Sequence, residues 1–556
     1  MTYTKINKIL LETFISLLAL CSCTDEWDDH YNETNQSNVS LWEAISSNSD
    51  LSHFAKVIKA CGYNEALGSS QVFTVFAPTD ENFTESEADS IITIYQTQKN
   101  KNIKDADNQA IKEFLQNQIA RYNYSIASKG KDSIIMMNGK YEVLTPTTFG
   151  GQGINQSNLL EKNGILFTLN NKIRYSPNIY EYLRSDKDLD SVSTFFHDFN
   201  KYEFDAGRSV PGDIVNGQTT YLDSVTYLKN ILFDYVGELN SEDSTYWMVA
   251  PTNAVWDKLI TEYKPYFNYD NTVNKRDSLQ NLYSKLAIIR GTVFSRTQNT
   301  DKAIQDSALS TSAISYLNRK MIYGSYDLKY YQFEHPFASG GVFNGTKDYQ
   351  CSNGIVKKSS NWNIDKNQTF LQKITAEAEN RNNQKEIDEL KTKDLVTVTV
   401  DIKNPFHNKV SNNKFVDIIP ISSSANTSAT FSIPNILSNT GYDIYIVTLP
   451  ALAEDTLATS EERLPTKLDA VLGYNDQTGN PQTMKLVEKM PTTADVIDTL
   501  KVGDDIKIPT CSYNLNIRQV TIQIASHVLN SELKRGNYNR IIRLDCIIFK
   551  PHETSL

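Results

Sequence analysis

The chain has 556 residues, too long for one compact core, and a prior of about 150 residues per domain predicts roughly three to four domains. Apolar residues make up 40% and charged residues 22%, as in ordinary globular proteins, and a mean hydropathy of -0.43 excludes a protein with many membrane spans. The 55 Lys and Arg against 66 Asp and Glu give a net charge of -11 without a basic block, so no nucleic acid partner is expected.

The N-terminus predicts export and lipidation. Residues 1–22 have the basic start and short apolar run of a secretory signal peptide. The run ends Leu20-Cys21-Ser22-Cys23, which resembles the lipobox of bacterial lipoproteins. Cys23 fits better than Cys21 because the small Ser22 precedes it, so we expect Cys23 to be acylated and to anchor the chain to a membrane. The alternative is a plain signal peptide with incidental cysteines.

Residues 23–38 are predicted to be an acidic tether. Four carboxylates follow the lipidation site, at Asp25, Glu26, Asp28 and Asp29. They resemble the export signal by which some Gram-negative lineages send lipoproteins to the outer leaflet of the outer membrane. This resemblance implies a lipid-anchored protein of the outer membrane that faces outward. The alternative is an acidic linker that only keeps the segment solvated.

The next region, residues 39–175, is predicted to be domain 1. Leu51, Phe54, Ala55 and Ile58 form an apolar stripe, which predicts a helix over Asp50–Gly62 with Ser49 as its N-cap. The run Val72–Phe76 is β-branched and aromatic and predicts a buried strand. A second helix is predicted over Asp107–Tyr122.

Two motifs of this region occur a second time. Ala77-Pro78-Thr79-Asp80 with Phe83 recurs as Ala250-Pro251-Thr252-Asn253 with Trp256, and Asn163-Gly164-Ile165 recurs in the same order as Asn353-Gly354-Ile355. Pro78 is expected to end the strand because it lacks an N–H, and Thr79 to cap the next helical turn. The repeat predicts a duplicated domain, with domain 2 over residues 176–376.

These motifs resemble the two signatures of fasciclin-like domains. The resemblance is close over residues 39–175 and looser over 176–376, and it implies a wedge-shaped α+β fold that serves adhesion and binding rather than catalysis. The signature residues that it makes structural are Ala77, Pro78, Thr79, Phe83, Asn163, Gly164, Ala250, Pro251, Thr252 and Trp256. The Tyr-His pair of many members falls at Asn117 and Gln118 in domain 1 and near Ile288 and Ile289 in domain 2, so receptor binding of the animal-matrix kind is not expected.

Domain 2 carries an insertion around Asn200 to Asn230. It contains Tyr202, Phe204, Tyr221 and Tyr227 among Gly and Asp, a composition suited to contact with a partner. We therefore expect binding to reside in this insertion or in the C-terminal domain. The alternative is that the insertion packs on its own domain, with a helix over Tyr221–Phe233.

The C-terminal third is predicted to be a third domain. Residues 377–394 have the composition of a polar, helix-prone linker, and residues 395–556 contain short alternating runs typical of an antiparallel, jelly-roll-like β-sandwich. The predicted strands are Leu395–Ile402, Phe415–Ile421, Ala429–Ile433, Tyr442–Leu449, Ile506–Pro509, Val520–Ala525 and Ile541–Phe549. The expected fold class is α+β, with two fasciclin-like domains followed by this sandwich.

Motifs of catalysis are absent from the sequence. No nucleophile elbow, zinc-protease or phosphate-loop pattern occurs, and the seven His stand apart, so no catalytic residue, metal or cofactor is predicted. The many carboxylates leave glycosidase chemistry open. Cys61, Cys351, Cys511 and Cys546 are predicted to be core thiols, and a disulfide between the last two stays open.

One short pattern, Asp-(Ser/Thr) followed by an aliphatic residue or Ala, is more frequent than composition predicts. It resembles the O-glycosylation acceptor that some Gram-negative bacteria use on exported proteins. The implied acceptors are Ser90, Ser133, Ser191, Ser224, Ser278, Ser307, Thr456 and Thr499. The alternative is that Asp-Ser starts helices and turns at these positions.

Together these features predict a surface-exposed outer-membrane lipoprotein that binds a glycan or a protein without catalysis. Such lipoproteins resemble accessory members of starch-utilisation-system-like uptake complexes, which implies a TonB-dependent barrel and its lipoprotein lid as partners. The first alternative is a structural cell-adhesion protein, and the second is a glycan hydrolase.

Overall fold

The computed structural model describes residues 37–126, 130–204, 206, 210–215, 217–223, 226–296, 305, 307–309, 332–515 and 519–552. Cys23 and the acidic residues Asp25, Glu26, Asp28 and Asp29 lie outside the described residues. The chain divides into two compact units, Met1–Asn178 and Ile179–Leu556. Among the described helices, none is long and apolar enough to cross a membrane.

The first unit contains domain 1, a sheet with helices packed on it. Its helices are α1 (Leu41–Ser47), α2 (Ser52–Ala60), α3 (Asn64–Gly68), α4 (Glu85–Asn100), a π-helix (Ala110–Leu115) and α5 (Gln116–Gln118), with 3₁₀ turns at Ser49–Leu51 and Asp105–Asp107. Its strands are β1 (Phe73–Pro78), β2 (Ile119–Arg121), β3 (Asp132–Ile135), β4 (Tyr141–Leu144), β5 (Thr148–Phe149), β6 (Gln152–Glu161) and β7 (Gly164–Leu169). The sheet order is β2-β1-β7-β6-β5-β4-β3.

Strands β1 and β7 form the centre of domain 1. They pair in parallel, and every residue of both strands is buried. Such burial on both faces is typical of parallel strands and explains why their sequences are almost continuously apolar. One face packs against the helices, and on the other Phe76 stacks on Phe149 and Phe167.

Domain 1 differs from the sequence prediction at three points. The N-cap of the first turn is Asn48 rather than Ser49, because the Asn48 side chain accepts from the Asp50 N–H. The predicted helix over Asp107–Tyr122 ends at Gln118, where Ile119 becomes extended and pairs with Val75. Strand β1 runs two residues beyond the predicted Phe76 before it ends at Pro78, and the Thr79 N–H donates to the Leu169 carbonyl.

Domain 2 begins the second unit and has the same central strand pair. Its helices are α6 (Ile179–Ser185), α7 (Asp190–His197), α8 (Phe233–Val236), α9 (Asn253–Tyr263) and α10 (Arg276–Ile289), with 3₁₀ turns at Lys187–Leu189, Lys264–Phe267 and Lys366–Gln368. Its strands are β8 (Asn200–Phe204), β9 (Val210–Val215), β10 (Gln218–Asp223), β11 (Thr226–Asn230), β12 (Tyr246–Pro251), β13 (Val293–Ser295), β14 (Ser307–Leu309), β15 (Gln332–Glu334), β16 (Lys347–Cys351) and β17 (Gly354–Ser359). The main sheet has the order β13-β12-β17-β16.

The duplication is visible in the strand register. In domain 1, β1 pairs with β7 from Phe73 opposite Gly164 onward, and in domain 2, β12 pairs with β17 from Tyr246 opposite Gly354 onward. Both pairs are parallel and six residues long, and each ends at the Pro of its motif. The two copies therefore share one architecture.

The insertion of domain 2 is made of strands. Strand β8 pairs with β11 and β9 with β10, so the helix predicted over Tyr221–Phe233 is wrong. Thr226, Tyr227 and Leu228 extend and pair because β-branched and aromatic residues favour strands, and only the four-residue helix α8 follows them.

The rest of the second unit is an antiparallel sandwich. Its strands are β18 (Ile374–Glu377), β19 (Gln384–Ile387), β20 (Thr392–Thr399), β21 (Lys414–Pro420), β22 (Ser428–Ser432), β23 (Gly441–Thr448), β24 (Lys467–Asn475), β25 (Pro481–Pro491), β26 (Asp498–Lys507), β27 (Thr521–Ser526) and β28 (Ile542–Pro551), with 3₁₀ turns at Ser411–Asn413 and Ala451–Ala453 and the short helix α11 (Asn530–Lys534). One sheet has the order β20-β21-β28-β23-β26, with β18 also on β28, and the other has the order β19-β22-β27-β24-β25. The predicted fold class is confirmed.

The predicted linker is part of this sandwich. Strand β18 pairs with β28, and β19 pairs with β22, so residues 377–394 connect sandwich strands and contain one of them. The helix-forming composition is overridden because Gln384 to Ile387 complete a sheet edge. Strands β24 and β25 were not predicted either, and β25 is an edge strand with Pro at both ends and a largely polar sequence.

Candidate functional site

The signature Asn of each copy is buried, and its side chain joins separate backbone segments by hydrogen bonds. Asn163 accepts from the Leu41 N–H at 2.8 Å and donates to the carbonyls of Leu67 and Ser69 at 2.9 and 2.8 Å. Asn353 makes the same bonds in domain 2, where it accepts from the Ile179 N–H at 2.9 Å and donates to the carbonyls of Leu239 and Ser241, both at 2.8 Å. Both amides therefore fix the start of the first helix of their domain.

The residue after each Asn must be Gly, because the backbone of the neighbouring strand lies too close to leave room for a Cβ atom. A Cβ on Gly164 would lie 1.9 Å from the Phe73 carbonyl oxygen, and one on Gly354 would lie 1.8 Å from that of Tyr246. These oxygens belong to the strands that pair with β7 and β17, so neither can move away without breaking the sheet. The Asn-Gly motif thus holds the central strands together.

The other signature residues also serve the fold. The Thr79 hydroxyl binds the Leu169 carbonyl at 3.2 Å instead of capping a helix, and Thr84 caps α4. Asp80 accepts from the N–H groups of Ser52 and His53 and so caps α2. Its counterpart Asn253 accepts from the N–H of Ser191, at the start of α7. These polar residues connect the motif loop to a helix.

The remaining signature residues are apolar, and they lie in or next to the hydrophobic cores of their domains. Ala77, Phe83, Ala250 and Trp256 are buried, and Pro78 and Pro251 end their strands inside the sheets. The Trp256 N–H donates to the Thr252 carbonyl at 2.8 Å, as the Phe83 N–H does to that of Thr79.

The positions of the missing Tyr-His pair are internal. Asn117 and Gln118 are fully buried and donate to the Ile173 carbonyl, and Gln118 also accepts from the Ile173 N–H. In domain 2, Ile288 and Ile289 are buried in the core. These side chains pack and form hydrogen bonds within their own domains, where a partner molecule does not reach them.

The predicted O-glycosylation acceptors lie at exposed and half-buried positions. The exposed members are Ser90, Ser133, Ser278, Thr456 and Thr499, the half-buried ones are Ser191 and Ser307, and Ser224 lies outside the described residues. Ser90, Ser191 and Ser278 are in the first turns of helices or within them, whereas Ser133, Ser307 and Thr499 are in strands. The pattern therefore does not mark one type of local structure.

All four cysteines of the described part of the chain are buried and free. They are Cys61, Cys351, Cys511 and Cys546. Burial raises the pKa of Cys61 and of Cys511 to about 12 and raises that of Cys546 further, so these thiols stay protonated and unreactive at neutral pH.

The insertion presents aromatic side chains to solvent. Tyr202 is 68% and Phe204 is 46% exposed, and both lie on the same face of β8. At the base of the strands, Asn230 donates to the Phe196 carbonyl at 2.7 Å and to the Asn200 side chain at 2.9 Å, and Leu232 N–H donates to Asn230. The base is therefore fixed to α7 while the aromatic side chains remain accessible.

Domain 2 and the sandwich share a core. The segment Pro265–Asn271 is clamped by sandwich loops: Ser438 bonds to the carbonyls of Pro265 and Tyr266, and the Cys511 N–H donates to that of Asn268 at 2.8 Å. Tyr269 is 1% exposed. Its hydroxyl donates to the Tyr513 carbonyl at 2.9 Å.

A cavity of about 1190 Å³, which we call the junction groove, lies where these two domains meet. Its lining residues are Tyr266, Lys366, Asn367, Leu371, Gln372 and Lys373 from domain 2 and Asn439, Thr440, Gly441, Asp505, Lys507, Ile508, Pro509, Lys550, Pro551 and His552 from the sandwich. Tyr266, Leu371 and Ile508 are buried, whereas Lys373, Lys507 and Lys550 are exposed. The groove therefore has buried apolar residues at its base and a polar rim that includes four lysines, Asp505 and His552.

A hydrogen-bonded ion pair borders the groove. His552 Nδ1 lies 2.8 Å from Asp443 Oδ1, and Lys501 Nζ lies 3.2 Å from Asp443 Oδ2. Although burial opposes ionisation, the hydrogen bonds from His552, from the Asp505 N–H and from Lys501 hold the pKa of Asp443 at about 2. The same bond to Asp443 raises the pKa of His552 above its ordinary value.

Two groups of potential metal-ligand atoms occur among the described residues. They are Asp443, Asp504 and His552, and Glu377, Asp545 and Cys546, each with its atoms within 4.8 Å of one another. Sequence spacing missed both groups because strand pairing assembles them. In the first group Asp443 already binds His552 and Lys501, and in the second Asp545 accepts from the Ser411 N–H.

The junction groove could not be found from the sequence. Its residues come from five separate stretches that only the domain contact brings together. The one available signal was the pair of exposed lysines next to apolar strand ends, Lys507 and Lys550, and it is too common to select a site. By contrast, the insertion was selected by its composition, and the structure exposes Tyr202 and Phe204 there.

Comparison with known proteins gives one family match and several remote structural likenesses. The sequence profile of the fasciclin domain matches residues 49–173. The FAS1 domain pair of the insect cell adhesion molecule fasciclin I is 13% identical, over 58% of this chain and 99% of that chain, with a TM-score of 0.19. The C-terminal family 22 carbohydrate binding module of a Clostridium thermocellum xylanase is 9% identical, over 33% of this chain and 89% of that chain, with a TM-score of 0.18.

A larger piece of the Clostridium thermocellum xylanase 10B, which joins a CBM22-1 module to a GH10 module, is 12% identical over 29% of this chain and 25% of that chain, with a TM-score of 0.18. No curated protein matches this chain. The family match coincides with the part of domain 1 in which Asp80, Phe83 and Asn163 make the contacts described above. Residues 49–173 of this chain therefore belong to the fasciclin domain family.

Proposed function

We propose that this protein binds an extended glycan in the junction groove and does not turn it over. The observation that carries the proposal is the size of the groove, about 1190 Å³, which exceeds the range of roughly 300–1,000 Å³ of ordinary small-molecule sites. Because the two domains that wall the groove share a core, the groove is preformed, and binding loses little conformational entropy in the protein.

The fasciclin domain of residues 49–173 supports a binding role rather than a catalytic one. The sequence supports the setting: lipidation at Cys23 and the carboxylates after it would place the protein on the outer face of an outer membrane. There it would deliver glycan to a starch-utilisation-system-like uptake complex of a TonB-dependent barrel and its lipoprotein lid.

Glycan binding by the full-length protein tests the groove. We expect retention on a glycan array with no release of reducing sugar. The variant Asn367→Trp should fill the groove from its exposed wall and abolish retention, whereas Asn361→Trp, also exposed but outside the lining, should keep it. Equal retention by both variants would move the site elsewhere, and release of reducing sugar would make the protein a hydrolase.

The anchor has its own test. Cys23→Ala should abolish metabolic labelling with a radioactive fatty acid and leave the protein soluble after cell lysis, because two or more acyl chains are needed for stable anchoring. Cys21→Ala is the matched control and should keep the label. Label that survives in Cys23→Ala but disappears in Cys21→Ala would assign the anchor to the other cysteine.

A second candidate function is cell adhesion through the insertion, which the exposed Tyr202 and Phe204 favour. Cells that display the protein should then clump. The double variant Tyr202→Ser with Phe204→Ser should abolish clumping, whereas Asn367→Trp should not affect it. Clumping that responds only to Asn367→Trp would instead assign adhesion to the junction groove.

A further inference from the structure

Strand β20 is an outer strand of its sheet, and one of its sides is open. It is first in the order β20-β21-β28-β23-β26, and among the described residues no strand pairs with its other side. The Val400 N–H donates to the carbonyl of the residue that precedes β21. Because backbone groups alternate in direction along an antiparallel strand, those of Leu395, Thr397 and Thr399 point away from β21. The Leu395 N–H donates to the Asp394 side chain at 2.8 Å, as expected of a group outside the ladder.

Strand β20 lacks the features that protect the other outer strands of the sandwich. Natural sheets protect such strands by short length, by Pro or by charged side chains. Strand β19 has only four residues, and β25 begins and ends with Pro. Strand β26 carries charged residues along its length. Residues 395–400 of β20 and its end read Leu-Val-Thr-Val-Thr-Val, without a charge or a Pro. A segment of this composition favours pairing with a further strand.

The side chains near the middle of β20 are accessible. Thr397 and Thr399 are exposed, and Val396 is 38% exposed. Val398, on the same face of the strand as Val396, packs against a small cluster that contains Val400 and Phe415. A further strand beside β20 would therefore extend this apolar face and cover Val396.

The sequence of β20 is complementary to itself in the antiparallel direction. A two-fold axis at Thr397 places this residue opposite its own copy, in a hydrogen-bonded pair because its backbone groups point outward. The same axis places Val396 opposite Val398 of the second copy. Pairs of Thr and pairs of β-branched residues stabilise neighbouring strands.

Charges at the two ends of the segment support the same axis. Lys393 and Asp401 lie four residues before and after Thr397, and both are exposed. The axis brings each Lys393 next to the Asp401 of the second copy, and opposite charges across strands are favourable. Asp401 accepts from the Lys403 N–H with one carboxylate oxygen. Strand β20 has an irregularity between Thr392 and Asp394, so this contact depends on the reach of the Lys393 side chain.

We propose that two copies of this protein associate through β20, which pairs antiparallel with its own copy about a two-fold axis at Thr397. Two sandwich sheets then join into one continuous sheet. This inference goes beyond glycan binding and does not depend on it. One paired edge of eight residues is small beside the roughly 800 Å² per partner of a standard interface, so we expect a weak dimer whose population rises with concentration.

A charge at the axis tests the proposal by sedimentation velocity of the full-length protein. Every protein carries Cys21→Ala with Cys23→Ala, so that neither thiol nor lipid joins the copies. We expect a dimer with a Kd of about 1–100 μM. Thr397→Lys places two like charges directly opposite each other and should raise the Kd about tenfold or more. Thr483→Lys adds the same charge at an exposed position of outer strand β25 and should leave the dimer unchanged.

Mixing two variants tests the axis itself. Thr397→Glu alone should be as monomeric as Thr397→Lys, because it also places like charges opposite each other. An equimolar mixture of the two variants should restore the dimer, because unlike charges then face each other. Thr397 is exposed, so both variants should keep the melting temperature of the parent protein.

Three outcomes would overturn the proposal. A parent protein that stays monomeric up to about 1 mM does not pair through β20. A dimer that Thr397→Lys leaves intact, or that Thr483→Lys disrupts equally, uses another surface. Two monomeric Thr397 variants whose mixture also stays monomeric would exclude an axis at Thr397. Retention on the glycan array is read on the same proteins and does not bear on these results.

Discussion

One buried side-chain amide joins backbone segments in each of the two repeated domains. Asn163 and Asn353 each accept one backbone N–H and donate to backbone carbonyls, and both are more than nine-tenths buried. Only a carboxamide carries both an acceptor and two donors on one plane, and Gln would place it one methylene farther from these backbone groups. The residue is therefore fixed by hydrogen-bonding geometry rather than by contact with a ligand.

We predict that Asn163→Ala destabilises domain 1 by at least about 2 kcal/mol, because each buried polar group left without a partner costs roughly 1–3 kcal/mol. The measurement is urea unfolding of a fragment of residues 37–178. The control is Asn123→Ala, which changes an exposed Asn and should alter the free energy of unfolding by no more than about 0.5 kcal/mol. Equal effects of the two changes would refute the conclusion that the hydrogen bonds of Asn163 stabilise domain 1.

The His552–Asp443 pair gives the second unit a pH dependence of known sign. The pKa of His552 is raised by Asp443 in the folded state. The contribution of this pair is therefore fully present below the ordinary His pKa, about 6.5, and is lost as the pH rises through the raised value.

We predict that Asp443→Asn returns the His552 pKa toward its ordinary value. The measurement is hydrogen–deuterium exchange at the imidazole C2 position, followed by mass spectrometry of the C-terminal peptide over a pH series. His197, whose Nδ1 contacts the Ser193 carbonyl instead of a carboxylate, is the internal control for changes in exchange that do not depend on Asp443. An unmoved His552 titration would show that Asp443 does not hold the proton.

At the scale of elements, the insertion separates a structural base from an exposed face. Asn230 and Asn200 join the strands to α7 and to the Tyr180 hydroxyl, which donates to Asn200 at 2.6 Å. Tyr202 and Phe204 lie beyond this base on the exposed face. A deletion that includes Asn200 would therefore damage the domain, and side-chain substitutions are the sharper tool.

We predict that Tyr202→Ser with Phe204→Ser leaves the free energy of unfolding within about 0.5 kcal/mol, because both aromatic side chains are largely solvated. Asn230→Ala should cost about 1–3 kcal/mol, because it leaves the Leu232 N–H and the Phe196 carbonyl without partners. Chemical unfolding of the three proteins measures both. A large loss from the aromatic variants would mean that the insertion packs on its own domain.

Sequence patterns predicted elements well where local chemistry decided them. The parallel strands β1 and β12 were marked by continuous apolar runs, and their Ala-Pro-Thr motifs marked the ends. The predicted helix over Tyr221–Phe233 was wrong because its residues pair their backbone with strands β8 and β9, and helical periodicity does not show such pairing. The linker prediction failed for the same reason, since Gln384 to Ile387 become a strand only when β22 is beside them.

The same distinction between local and long-range chemistry applies to the two candidate sites, the insertion and the junction groove. Exposed aromatic side chains in the insertion follow from its composition, which marks a surface segment. The junction groove follows from a contact between Pro265–Asn271 and loops near Ser438 and Cys511, and no spacing within the sequence encodes such a contact. A side chain can be predicted to be polar and exposed, but its neighbours across a domain contact depend on the completed fold.

At the scale of the molecule, domain 2 and the sandwich share one hydrophobic core. Leu437 and Cys511 of the sandwich belong to the hydrophobic core of domain 2, and Tyr513 packs edge-on against Phe267 and Tyr283. Buried residues shared in this way couple the stability of the two parts.

We predict that residues 179–556 unfold in a single calorimetric transition and that Tyr269→Ala lowers its midpoint as a whole. Truncation of a large buried aromatic side chain costs roughly 3–5 kcal/mol, and the Tyr513 carbonyl also loses its donor. Tyr202→Ala, at an exposed Tyr of the same domain, is the control and should leave the midpoint unchanged. Two transitions, of which only the earlier responds to Tyr269→Ala, would show that the domains unfold independently.

The position of strand β28 has a consequence for how the protein is made. It is the last of the described strands in chain order, yet it lies in the middle of its sheet, between β21 and β23, and also pairs with β18. The sheet therefore lacks its centre until Ile542–Pro551 has been synthesised, and long-range pairing of this kind forms slowly. A chain cut short before β28 would expose open strand edges and become a target for proteolysis. This strand order therefore makes folding of the sheet depend on synthesis through Pro551.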